Sequence, residues 1–119
     1  MAPARAFPIL VGGHSEAALR RAVVRGDGGM HAGGDDLDEL LSRLNRLREA
    51  EGKGGVPFEV HVISADAYAP DGVRRLEDKG VTDVIVGFRT PYQKGPDIEP
   101  LHKKVEHLER FAEKVIARA

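Results

Sequence analysis

The chain has 119 residues, 41% of them hydrophobic and 31% charged, with a formal net charge of −1 and no cysteine. That is length for one domain with a modest core, and the balance is that of a globular rather than a disordered chain. Near-neutral charge gives no reason to expect nucleic acid or an anionic membrane as partner, the lack of cysteine excludes disulfides and thiolate metal sites, and no run approaches the roughly 20 apolar residues of a membrane helix.

The opening "MAPARAFPIL" holds one arginine and no long apolar stretch, so no signal peptide is expected and a cytoplasmic location is the default. A first strand is predicted over 7–11, followed by a helix over 16–25 with Ala18, Leu19, Ala22 and Val23 on one face. A weaker strand, 29–32, follows "RGDG". Leu37, Leu40, Leu41, Leu44 and Leu47 then keep a 3–4 spacing that predicts a helix over 36–50, capped by Asp35 or Asp36. The third strand is expected over 58–63. A short helix over 72–79 buries Val73 and Leu76 and ends at Gly80. A fourth strand over 84–86 precedes a last helix over 101–118, whose stripe of Leu101, Val105, Leu108, Ala112, Val115 and Ile116 is expected to face the core.

Strict alternation of strand and helix implies parallel strands joined by right-handed crossovers. A (βα)8 TIM barrel takes about 31 residues per unit, so this chain holds about four βα units, half a barrel. The alternative is an open flavodoxin-like parallel sheet. Loops entering the strands are short and bland: "RGDG", "EGKGGVP" and "DKGVTD". Those leaving them carry the polar chemistry: "GGHS", "HAGGDD", "SADAYAPDG" and "GFRTPYQKGPDIEP". In both architectures ligands bind at the carboxyl ends of the strands, where this second set falls.

Gly12 and Gly13 let the chain turn sharply after the first strand and let a ligand approach the peptide N–H groups, and Ser15 is suited to cap the next helix. Unpaired amides and the positive end of the helix dipole then make an anion site suited to a phosphate. The plain alternative is a tight turn with an ordinary serine cap.

"PILVGGHSEAALRRAVVRGDG" resembles a segment in the carboxyl-terminal half of luciferase-like monooxygenases, above all their actinobacterial deazaflavin-dependent branch. The resemblance runs on through "LLSRLNRLREAEGK", "PFEVHVIS", "GVRRLEDKGVTDVIVGF" and "LHKKVEHLERFAEKVIARA", covering the chain from about Pro8 onward. It rests on several blocks in the same order, none diagnostic alone. It implies a TIM-barrel fold that binds FMN or a deazaflavin coenzyme (F-420 type) at its carboxyl face and acts as an oxidoreductase or monooxygenase. It also implies that "GGHS" holds the cofactor phosphate, so the cofactor-binding residues are expected to be Gly12, Gly13, His14, Ser15, His31 and Arg89. No catalytic residue is assigned. Two positions depart from the family, which often has an aromatic where this chain has Gly29 and another where it has Thr90. The family's amino-side half, which supplies much of the ring-binding wall, has no counterpart, so the chain is not expected to be active alone. The competing function is a non-catalytic, self-associating (βα)4 module that binds phosphate groups or is purely structural.

In "FEVHVIS", Glu59 and His61 alternate with Phe58, Val60 and Val62, so the polar pair is expected on the barrel-lumen side, for proton transfer or ligand binding or simply satisfied there. "HAGGDD" is too loose for metal ligation, and no metal is expected. Tyr92 and Lys94 are taken as loop residues, His102 and His107 as surface residues, and Arg20, Arg21, Arg43, Arg46 and Arg48 as solvated helix faces. Half a barrel leaves two open strand edges, which predicts a homo-oligomer, most simply a dimer that closes them.

Overall fold

The computed structural model describes residues 7–32, 36–87 and 95–118. It is an α/β protein whose four strands, β1 (Leu10–Gly12), β2 (Gly28–His31), β3 (Glu59–Val62) and β4 (Asp83–Val84), form one sheet in the order β1-β2-β3-β4, every pair parallel. This sequential order is that of a barrel wall. A flavodoxin-like sheet would insert β1 between β2 and β3, whereas here β2 pairs with β3 directly.

Helices α1 (Glu16–Arg25), α2 (Leu37–Ala50) and α3 (Pro70–Asp78) connect the strands, and α4 (Leu101–Lys114) ends the series. Local chemistry sets their starts. Ser15 Oγ accepts from Ala18 N at 3.1 Å, Asp36 Oδ1 accepts from Glu39 N at 3.2 Å, and Pro70 occupies the first turn of α3, where no N–H is needed. Lys53 Nζ reaches back from the loop after α2 to the Val23 and Val24 carbonyls that end α1, at 2.9 and 3.1 Å.

The core is a single cluster between the helices and one sheet face. Leu19 and Val23 of α1, the four buried leucines of α2 and Leu76 of α3 meet Val60 and Val62 of β3. Period-2 alternation then puts Glu59 and His61 on the opposite face, as expected, together with their register partners Gly28, Met30 and Asp83. No described element covers that second face, and the outer edges of β1 and β4 have no strand partner among the described residues. Met30 and Ile63 are 40% and 45% exposed as a result.

Three expectations need correction. The apolar stripe of α4 does not enter the main core: Leu101, Val105, Leu108 and Ile116 are exposed. The helix instead touches the rest through Phe111, edge-on to Tyr68 at 6.1 Å between centroids, with Val115 buried just beyond it. A 3-10 turn at Ala65–Tyr68, unexpected from the pattern, supplies that contact. Third, β2 begins one residue earlier than expected, and β1, β3 and β4 are shorter than the apolar runs that mark them, because Ile9, Ile63 and Ile85 lie beyond the ladder yet still bond to it: Ile9 O accepts from Asp27 N, Ile63 N donates to His31 O and Ile85 N to Val62 O. No helix is long and apolar enough to cross a membrane among the described residues.

Candidate functional site

At the carboxyl end of β1 the backbone turns at Gly13, whose φ of +121° is a conformation that side chains resist; a Cβ there would also lie 2.8 Å from Ala18 Cβ. Gly13 is therefore required by the turn. Gly12 is not: its φ is ordinary and a Cβ would meet nothing closer than Met30 O at 3.9 Å. The expectation that both glycines free the turn holds for one of them.

His31, the last residue of β2, is 2% exposed and fixes the turn from the side: its Nδ1 lies 3.2 Å from Gly13 O. Because a carbonyl only accepts, Nδ1 carries the proton and Nε2 is the bare acceptor of a neutral ring. Nε2 is buried without a partner among the described residues. Burial lowers the His31 pKa below its ordinary value; the bond to the Gly13 carbonyl opposes this, and His14, with ring centroids 5.8 Å apart, adds to the lowering. The ring occupies the space a side chain at position 29 would need, since a Cβ on Gly29 would sit 2.6 Å from Nε2. Position 29 faces the helices rather than the lumen, so an aromatic placed there would displace His31 instead of lining the open face.

The trans peptide that aims Gly13 O at His31 turns the His14 N–H the other way. Ser15 Oγ and Ser15 O take the amides of Ala18 and Leu19, and no described group accepts from the amides of Glu16 and Ala17. A cavity of about 380 Å³ adjoins the turn, lined by His14, His31, Asp36, Glu39, Arg43 and Ile63 among others. Arg43 is not simply a solvated residue: its guanidinium lies 3.3 Å from the Glu16 carboxylate and neutralises the acid nearest the free amides. Arg48 likewise stacks over Phe58 at 5.0 Å and donates to Val56 O at 2.8 Å.

Gly12, Gly13, His14, Ser15 and His31 are thus brought together at the carboxyl ends of β1 and β2. Arg89, Thr90, Tyr92 and Lys94 lie outside the described residues, as does Asp35. Asp83 was hidden in a loop that looks featureless. In register with His61, its Oδ2 comes 3.1 Å from His61 Nε2, and Glu59 Oε1 lies 3.6 Å from the same nitrogen. The only sequence signal for it was the charge at the mouth of an apolar run.

The fold and site define a four-unit parallel βα sheet with a tight glycine turn and a capped helix at its carboxyl edge. No family model matches the chain. It is 64% identical, over 119 residues and 98% of its length, to uncharacterized proteins of Mycobacterium bovis and Mycobacterium tuberculosis, and it spans 41% of their length. No solved structure matches it.

Proposed function

We propose that this chain is the cofactor-phosphate-binding half of a luciferase-like barrel that uses FMN or a deazaflavin coenzyme, inactive by itself and working in the cytoplasm. The observation that carries the reading is the turn after β1: Glu16 and Ala17 amides that no described group pairs, behind a serine cap, at the positive end of a ten-residue helix, on the face where such barrels hold phosphate. The sequence resemblance, block by block from Pro8 onward, supplies the cofactor class. Length agrees with it. If 119 aligned residues are 41% of each mycobacterial relative, those proteins run to about 290 residues, and a complete (βα)8 barrel takes about 250.

Fluorescence titration of FMN, of the deazaflavin coenzyme and of riboflavin tests this. FMN and the deazaflavin should bind, and riboflavin, lacking the phosphate, should bind more weakly. Ser15→Ala should weaken the phosphate-bearing ligands while leaving riboflavin as it was. Equal binding of FMN and riboflavin by a folded sample would overturn the phosphate assignment, and no binding of any would leave only a structural module. That second reading, a self-associating (βα)4 unit, draws on the edges of β1 and β4 and the sheet face between them, which no described element pairs or covers. Both readings take the chain as a dimer that closes these edges, and light scattering that finds a monomer at micromolar concentration counts against it.

A further inference from the structure

We propose that Glu59, His61 and Asp83 form a binding site for one divalent transition-metal ion, with Zn2+ as the test ion. The site lies on the sheet face that no described element covers and is independent of the phosphate cradle.

Its three donors project from two adjacent strands rather than from loops. Glu59 and His61 are two residues apart on β3, hence on one face, and the parallel register sets Asp83 of β4 directly beside His61. One ligand atom from each falls within 4.8 Å of the others. Nε2 to Asp83 Oδ2 is 3.1 Å and Nε2 to Glu59 Oε1 is 3.6 Å. With metal–ligand bonds of about 2.0–2.2 Å, neighbouring ligands of one ion stand about 3.0–3.5 Å apart, so the triad needs only small shifts to close on a cation.

The orientation of His61 is the independent sign. Its Nε2 is shut off from solvent and makes no directed hydrogen bond, although a carboxylate oxygen lies at 3.1 Å. The oxygen is therefore off the line along which a ring N–H would donate, which is where a fellow ligand stands when the line itself leads to a metal. Asp83 is further held by the Thr82 hydroxyl, 2.7 Å from Oδ2, the kind of outer contact that fixes a ligating carboxylate. One imidazole and two carboxylates carry charge to offset a divalent ion and suit Zn2+, Mn2+ or Fe2+ rather than a thiolate-seeking metal. Three protein ligands leave room for water, as in an open rather than a closed structural site.

Calorimetric titration of ZnCl2 into the chelator-stripped chain is the test, with Co2+ visible absorption as a second readout. One equivalent should bind saturably, and Co2+ should develop d–d bands that Zn2+ displaces. His61→Ala and Asp83→Asn should each weaken binding by at least about tenfold, the scale on which support of a metal site is lost. Glu59→Gln, isosteric and on a half-exposed side chain, should do the same without risk to folding, and His102→Ala on α4 should change nothing. Circular dichroism confirms that each variant folds. Absence of saturable binding, or binding that survives both Glu59→Gln and Asp83→Asn, would overturn the proposal and leave the triad an ion-pair cluster. A His102→Ala chain that loses the ion equally would also overturn it. Because the readout is metal uptake, failure here says nothing against the phosphate turn, and the reverse holds too.

Discussion

Replacing Gly72 with alanine separates local propensity from tertiary packing, because the two predict opposite signs. Gly72 lies buried in the first turn of α3, pressed against the 3-10 turn that follows β3. A Cβ there would sit 2.0 Å from Asp66 O, 2.7 Å from Asp66 C and 2.8 Å from its Cα, all backbone atoms. That turn has little freedom to withdraw. Ser64 Oγ accepts from Asp66 N at 3.2 Å, Ala67 N donates to Ser64 O at 3.1 Å, and the Asp66 carboxylate is tied to Arg75 at 3.1 Å. Helix propensity alone favours alanine by up to about 1 kcal/mol. Relief of the overlap demands a displacement of about 1 Å in close-packed backbone, at the upper end of the 1–3 kcal/mol that overpacking costs. The net expectation is a loss of about 2 kcal/mol. For a domain of this size that lowers the melting temperature by roughly 8 °C. Urea unfolding of the parent, Gly72→Ala and Gly55→Ala measures it. Gly55 has no neighbour within 4 Å of an added Cβ, so its replacement should be neutral or stabilise by up to about 1 kcal/mol. An unchanged or raised midpoint for Gly72→Ala would refute the packing of α3 against the 3-10 turn.

Other outcomes follow from the same structure. His31 is neutral in the folded chain and its pKa is lowered by burial, whereas the unfolded chain takes up a proton near pH 6.5. Unfolding thus binds the proton, so stability falls as pH drops below about 6.5, by up to about 1.4 kcal/mol per pH unit until the folded value is passed, and His31 contributes no slope above that range. His31→Gln should flatten that part of the stability–pH curve; identical slopes in both proteins would contradict it. Lys53→Met removes two hydrogen bonds to the carbonyls ending α1 and should cost about 1 kcal/mol in denaturant unfolding, since this charged donor is partly exposed. Leu44→Ala, at a core position 1% exposed, should cost about 3–5 kcal/mol, whereas Leu108→Ala on α4, 56% exposed, should stay within about 0.5 kcal/mol. Comparable losses at both sites would mean that a partner covers the α4 stripe.

The sequence by itself determined what is local. The leucine spacing of α2, the Ser15 cap and the bounds of α1 follow from side chains within a few residues of one another, and the structure reproduces each; of the two aspartates offered for α2, it uses Asp36. Alternation along β3 likewise told which of its residues face the helices, because period 2 is a property of one strand. Alternating strands and helices also implied four parallel βα units, since they admit few topologies, but the choice between half a barrel and an open flavodoxin-like sheet waited for the strand order β1-β2-β3-β4. What lay between elements was decided by tertiary structure alone. Asp83 meets His61 across 22 positions of sequence because β3 and β4 pair in one register, and a slip of one residue would send it to the other face. Arg43 reaches Glu16, and His31 reaches the Gly13 carbonyl, only because α1 and α2 lie side by side over neighbouring strands. On the α4 stripe only Val115 is buried, and no described residue covers Leu101, Val105, Leu108 or Ile116; periodicity records that a face is apolar without saying what, if anything, covers it.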